Sequence, residues 1–308
     1  MEIAFIGDPH IDDSQPGNRT DNYYEALLGK LEFVCLTCEQ KNIKFLIMPG
    51  DIFDKPVVNL GVIIDIYRLI KKYNILLKVI VGQHDLTFRY LNKRTSPIVF
   101  LQRLKTLQIL NKTGRFLDDN TFISGLSYGE TNETPTFNKK CKTNILVVHT
   151  QVAAEAIGPG VDFLTAKGVV KKYKGFDLII AGDYHYKYIR KFKSTIVINA
   201  GILCRKSVID VVRDHKPAMY IFNCETKEIK QIEIPHKQAK DIFDLSKKSK
   251  VLEKAAMEWG LLAREIKNVS ISQQLTFRER LVKKCIADKI GTHVIKIFDG
   301  IYTNLEGE

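Results

Sequence analysis

"ILLKVIVGQHD", residues 75–85, decides how this chain is read. Its first seven residues are apolar apart from Lys78, the length and texture of a buried strand. A glycine then lets the chain turn, and Gln83, His84 and Asp85 follow in a row. Turn chemistry alone accounts for such a triplet, and so does a ligand set. The rest of the chain bears on the choice, because the same ending recurs. "IAFIGDPH" (3–10) runs out on Asp8 and His10, and "IMPGDIFD" (47–54) on Asp51 and Asp54. "LVVHT" (146–150) runs out on His149, and "IIAGDYHY" (179–186) on Asp183 and His185.

Between these strands lie segments of helical period. "NYYEALLGKLEFVCLTCEQKN" (22–42) places Ala26, Leu27, Leu31, Val34 and Cys38 on one face. "GVIIDIYRLIKKYN" (61–74), "PIVFLQRLKTL" (97–107) and "LTAKGVVKKY" (164–173) read as further helices. The opening βαβαβ run argues for layered α/β architecture. From "STIVINAG" (194–201) to "EIKQIEIP" (228–235) the pattern is β alone. Beyond it the texture turns helical and highly charged, so the expected boundary divides a catalytic domain, 1–236, from an extension, 237–308.

The chain has 308 residues, 45% hydrophobic and 27% charged, enough for one large core and a small appendage. No apolar run approaches the roughly 20 residues of a membrane-spanning helix. "MEIAFIGDPH" carries no basic leader, and the expected location is the cytoplasm. Lysine and arginine number 47 against 35 acids, a balance of +12 that suits a polyanion such as DNA. Cys35 and Cys38 form a C-x-x-C, but inside a helical pattern and without a second pair at zinc spacing. The six cysteines read as reduced thiols.

Taken singly, Asp8 or Asp51 can cap a helix, and His149 can be a packed core histidine. Five apolar strands ending this way argue for one shared site, since layered α/β folds gather ligands at strand carboxyl ends. Asp, His and an amide oxygen suit first-row divalent ions such as manganese, iron or zinc. Asp8, His10, Asp51, Gln83, His149, Asp183 and His185 supply donors for two ions sharing a bridging carboxylate. His215, His236 and His293 lie off these ends and read as surface or packing residues.

The ordered set "DPH", "GDIFD", "GQHD", "VVHT" and "GDYH" resembles the calcineurin-like metallophosphoesterases. Their pattern is D-x-H, G-D-x-x-D, G-N-H-D/E, a lone His and G-H-x-H, and the match spans roughly residues 3–235. The resemblance implies two β-sheets packed face to face with helices on both outer sides. It implies that Asp8, His10 and His185 hold one ion, Asp51 bridges, and Gln83, His149 and Asp183 complete the other. His84 would face the phosphate, stabilising charge on the transition state or protonating the leaving oxygen. Two positions depart from the pattern: Gln83 replaces Asn, and Asp183 replaces His. The longer Gln stem requires the strand end to sit further back, or the ligand is lost. The added carboxylate favours a hard ion, manganese first and magnesium second.

Within the superfamily the chain is similar to the SbcD-type DNA-repair exonucleases, and "GDYHY" is similar to their phage-encoded members, whose location would be the host cytoplasm. That resemblance implies a manganese-dependent DNA nuclease paired with an SbcC-type coiled-coil ATPase; a second copy of the chain is a further candidate partner, a membrane is not. The extension is short for a full cap, and "FDLSKKSKVLEKAAMEWGLLAREIK" (243–267) is the candidate ATPase contact, the alternative being a helix packed on its own domain. "LTFRYLNKRTSP" (86–97) follows His84 directly and interleaves Phe88 and Tyr90 with Arg89, Lys93 and Arg94. Aromatics among cations stack bases and neutralise phosphates, so this loop is the expected DNA contact. The competing readings are a phosphatase or cyclic-nucleotide phosphodiesterase, and a non-catalytic DNA-binding subunit.

Overall fold

The computed structural model describes residues 1–155, 163–206 and 215–244. In chain order its first half holds β1 (Glu2–Phe5), α1 (Tyr23–Gln40), β2 (Phe45–Met48), α2 (Leu60–Lys72), β3 (Leu76–Val79), α3 (Pro97–Arg103), β4 (Leu107–Ile109), β5 (Arg115–Asp118), β6 (Thr121–Leu126) and β7 (Thr143–His149). The second half adds β8 (Val152–Ala153), β9 (Leu164–Thr165), α4 (Ala166–Lys172), β10 (Leu178–Gly182), β11 (Tyr188–Phe192), β12 (Thr195–Asn199), β13 (Ala218–Asn223), β14 (Ile229–Glu233) and α5 (Ala239–Ile242).

Two six-stranded mixed sheets result, ordered β14-β13-β1-β2-β3-β4 and β11-β12-β10-β7-β6-β5. The run β1-β2-β3-β4 is parallel, as is the run β12-β10-β7-β6. Alternation along each strand sorts its side chains into layers. On β1, Ile3 and Phe5 join Ile145, Val147, Leu178, Ile180 and Ile198 in the core between the sheets. Ala4 faces the other way, into a core with Leu27, Leu31 and Val34 of α1 and Ile63 and Ile66 of α2. On the far side, Leu146, Val148, Ile179 and Ala181 pack against Ala166 and Val169 of α4. The fold is therefore α/β with two packed sheets and helices outside both, as the resemblance implied.

Helix α1 starts where Asn22 accepts from the Glu25 amide, a side-chain N-cap. Its buried face is Tyr23, Leu27, Leu31, Val34 and Cys38, with Ala26 only half-buried. Burial pushes the Cys35 and Cys38 thiols up, which leaves them inert. Helix α3 ends sooner than its sequence pattern suggests. Lys105 turns left-handed at φ 58°, and the Thr106 hydroxyl bonds back to the Leu101 carbonyl. Leu107 then opens β4, a strand the periodicity missed. Strands β5 and β11 were missed too. All three are sheet edges, where one side has no neighbour and the apolar signal fades.

The chain past residue 236 keeps packing on these layers. The Thr20 amide donates to the Ile242 carbonyl at 3.0 Å, and Asp244 N to Asn18 O at 3.0 Å. The rest of the expected extension lies outside the described residues, as does His293. No helix among the described residues is long and apolar enough to cross a membrane.

Candidate metal centre

The donors converge because parallel strands of both sheets end at the same rim. The bonds that close this rim run between sheets. Asp183 N, after β10, donates to Asp8 Oδ2 at 2.7 Å, and His149 Nδ1 meets the Pro49 carbonyl at 2.6 Å. Close approach here depends on glycine. A Cβ at Gly50 (φ 108°) would overlap the His149 imidazole, and one at Gly82 would overlap the Asp51 carboxylate. Three donors sit in left-handed backbone: His10 at φ 45°, Asp51 at 45° and Asp183 at 77°. Such backbone costs roughly 1–3 kcal/mol per residue and persists where the surroundings over-determine it, as functional sites do.

Two groups of donors form. In the first, Asp8, His10 and His185 bring ligand atoms within 4.8 Å of one another. His10 Nε2 lies 3.3 Å from His185 Nε2, so two ring nitrogens aim at one point. In the second, Asp51, His149 and Asp183 meet on the same criterion. Gln83 completes it. Its amide nitrogen donates to Asp183 Oδ1 at 2.8 Å, which turns Oε1 toward His149 Nε2 at 2.7 Å. The longer Gln stem is thus taken up without losing the oxygen. Asp51 Oδ2 joins the groups, 3.4 Å from His149 Nε2 and 3.8 Å from His10 Nε2.

The electrostatics call for cations. Asp8 Oδ1 and Asp51 Oδ2 are buried carboxylate oxygens with no hydrogen-bond partner. Two such oxygens are costly to bury alone and are satisfied by divalent ions. Burial pushes the Asp8 carboxyl well up, with nearby Asp51 adding to the rise against His149. Burial also raises Asp51, but His149, His10 and the His84 amide outweigh it and leave it low. His185 is pushed down to about 4 by burial and by His10. This donor set fits a dimetal site.

Protons and metal ions compete for these atoms. Burial pushes His149 down, yet Asp51 and Asp8 overcome it and lift the imidazole to about 9. Its proton must leave when an ion binds, so metal affinity rises with pH up to about 9. Titrating manganese at several pH values between 6 and 9 should show the dissociation constant falling about tenfold per unit for each proton released. A constant that does not move with pH would remove His149 from the ligand set.

His84 stands apart. Its amide donates to Asp51 Oδ1 at 2.9 Å, and its Nδ1 donates to the Asp54 carbonyl at 2.9 Å. That leaves Nε2 facing the site, 4.0 Å from Asp51 Oδ2 on a side chain 44% exposed. His84 also lies in a third group with His10 and Asp54. There, however, the Asp54 carboxylate already meets His10 Nδ1 at 3.1 Å and pairs with Lys206. Burial pushes Asp54 up, but these two partners hold it below the usual carboxylate range.

Sequence reading named Asp54 and Asp85 as polar strand ends without a task. Asp54 orients two histidines. Asp85, 2% exposed, accepts from Ile52 N, Phe53 N and Gly82 N at 3.3, 3.0 and 2.9 Å. It ties the turn after β3 to the turn after β2. His215, off the site, is a packed residue whose Nε2 meets the Ile202 carbonyl at 2.8 Å. The loop after His84 closes a tight turn: Thr87 and Tyr90 exchange backbone bonds of 3.0 and 3.2 Å. Phe88 (φ 50°) and Arg89 (φ 68°) form its tip, and Phe88 is 89% exposed. Tyr90, Lys93 and Arg94 are exposed as well.

Comparison with known proteins identifies the family. The calcineurin-like phosphoesterase family profile matches residues 1–187. No curated protein matches the chain. A dimetal phosphatase from Danio rerio is similar in structure, at 11% identity and TM-score 0.52, covering 77% of this chain and 97% of that one. An archaeal phosphodiesterase structure is similar at 16% identity and TM-score 0.43, over 76% of this chain and 100% of that one. The profile match takes in every donor from Asp8 to His185, and the chain belongs to the calcineurin-like phosphoesterase family as a metal-dependent phosphoesterase, a hydrolase.

Proposed function

We propose that this phosphoesterase is a DNA nuclease of the SbcD-type branch, hydrolysing phosphodiester bonds with two manganese ions, or magnesium in their place. Asp8, His10 and His185 would hold one ion and Gln83, His149 and Asp183 the other, with Asp51 between the two groups. When bound, the ions polarise the phosphoryl group and activate a water. The residues do the rest. Asp54 and Asp85 hold the donor loops in place. His84, anchored through Nδ1, carries a proton on Nε2 to the leaving oxygen.

The observation that carries the nuclease reading is the turn at Phe88–Arg89. A turn with two left-handed central residues ordinarily takes Asn-Gly. Here a phenylalanine and an arginine occupy it, close in sequence to His84, and expose themselves to solvent. Arg89, Lys93 and Arg94 neutralise phosphates, and Phe88 and Tyr90 supply stacking faces. The +12 charge points the same way. The partner we propose is an SbcC-type coiled-coil ATPase, held by residues 243–267; a phage origin fits "GDYHY".

The test is purified protein with manganese on linear double- and single-stranded DNA, beside a generic phosphomonoester. DNA cleavage is expected, with zinc giving less activity because Asp183 adds a hard oxygen donor. Hydrolysis of the phosphomonoester alone would replace the nuclease with a phosphatase. Substituting alanine for Arg89, Lys93 and Arg94 should shallow the salt dependence of duplex binding by about two to three units of log K per log salt. An unchanged slope would put the DNA-binding cations elsewhere.

A further inference from the structure

The basic charge of this chain is not spread evenly. Residues 164–193 hold eight lysines and arginines against two acids, one of them the metal donor Asp183. That net +6 is half of the chain's +12, in about a tenth of its length. The stretch folds into α4, β10 and β11, and β10 is buried throughout. The cations are left on the two flanks. Lys167, Lys171, Lys172 and Lys174 stand exposed on and just after α4. Arg190, Lys191 and Lys193 stand exposed on and just after β11. The flanks adjoin, because Tyr188 of β11 shares a core with Val169 and Tyr173 at α4, and Phe192 packs against it. Together α4 and β11 make one basic face.

Elsewhere lysines meet carboxylates: Lys55 meets Asp12 at 2.9 Å, Lys72 meets Glu32 at 2.7 Å and Lys112 meets Glu133 at 2.6 Å. On this face Arg190 reaches the exposed Glu155 at 3.4 Å, a pair of small worth in water. Lys172 lies over the Tyr173 ring at 5.6 Å. Among the described residues, no carboxylate comes within ion-pair distance of Lys167, Lys171, Lys174, Lys191 or Lys193. Lysines on an edge strand discourage stray pairing, and lysines in a last helical turn suit the helix dipole. Neither reason calls for the two sets to lie side by side, where like charges repel and cost stability. An anion laid across both sets removes that cost.

The face begins at the metal centre. β10 ends on Gly182, next to the donor Asp183, and β11 starts three residues after the donor His185. β12 is parallel to β10 and β11 antiparallel to β12, so β11 leads back from the rim where the donors stand. Its five residues span roughly 17 Å, at about 3.4 Å each. Each strand of duplex DNA places a phosphate about every 3.4 Å along the axis, so about five phosphates fit beside β11. The rings interleaved with these cations, Tyr173, Tyr188 and Phe192, pack into the α4 core. Cations without stacking faces suit a phosphate backbone rather than bases.

Resting on the nuclease reading above, we infer that α4 and β11 form a second interaction surface, which holds the phosphate backbone of duplex DNA as it leaves the metal centre. It is separate from Arg89, Lys93 and Arg94, which follow β3 of the other sheet. A contact with phosphates alone carries no sequence preference.

The experiment measures binding of a phosphorothioate duplex, which resists cleavage, with manganese present and salt varied from about 50 to 200 mM. Two triple variants stand beside the wild type: Lys167→Ala, Lys171→Ala and Lys174→Ala on the α4 side, and Arg190→Ala, Lys191→Ala and Lys193→Ala on the β11 side. Each triple should shallow the slope of log K against log salt by about two to three units, the effect of three lost phosphate contacts. The loss should be equal on duplexes of unrelated sequence. Arginine in place of the same lysines should keep the slope, which separates charge from packing. A wild-type slope in either alanine triple, or a slope lost in the arginine variants as well, would overturn the surface and leave the nuclease standing. Tighter binding to phosphatidylserine vesicles than to the duplex, lost in the alanine triples, would make the face a membrane contact and overturn the inference. A wild type that hydrolyses bis(p-nitrophenyl) phosphate but neither binds nor cleaves DNA would overturn the nuclease itself, and this inference with it.

Discussion

Asp51→Ala is expected to empty both metal positions and to cut turnover by more than roughly 10³-fold, beyond the loss of a single oxyanion-stabilising donor. Asp51 Oδ2 reaches both donor groups, at 3.4 Å from His149 Nε2 and 3.8 Å from His10 Nε2. It is also fully buried and has no hydrogen-bond partner of its own. Removing it takes away the shared negative charge that offsets two dications. It also frees the His84 amide, which donates to Asp51 Oδ1. Metal analysis of the purified variant decides the matter. One ion retained at full occupancy would show that the two groups bind independently and that Asp51 serves only one.

His84→Ala should behave differently: both ions stay, and kcat falls by about 10²- to 10⁴-fold, the range for one general acid. The reason is geometric. His84 presents Nε2 at 4.0 Å from Asp51 Oδ2, while its Nδ1 is committed to the Asp54 carbonyl. In the group it forms with His10 and Asp54, the Asp54 carboxylate is already engaged by His10 and Lys206. Its loss should fall hardest on substrates with poor leaving groups, because an activated leaving oxygen departs without a proton. Loss of metal from His84→Ala, or equal loss on activated and unactivated esters, would move His84 into the ligand set.

Much of this centre was legible in the sequence. Asp8, His10, Asp51, Gln83, His149, Asp183 and His185 each follow an apolar run, and the structure brings all seven to one rim. They were legible because a parallel strand buried on both faces reads as a continuous apolar stretch, and its carboxyl end reads as a sudden change to Asp, His or Gln. The central strands β1, β2, β3, β7 and β10 were found for the same reason. The signal is local, written within ten residues.

What the sequence withheld was decided across distance. Strands β4, β5 and β11 lie at sheet edges, where half the neighbours that make a strand apolar are missing. Asp54 and Asp85 looked like any acidic turn residue. Their tasks follow from partners on other loops: His10 and Lys206 for Asp54, the backbone of Ile52 and Phe53 for Asp85. The sequence by itself determined which donor side chains stand at the strand ends, because burial pattern and donor chemistry are properties of single strands. Only the tertiary structure decided what orients those donors and what flanks them, because a hydrogen bond or a ring contact depends on the positions of two segments at once.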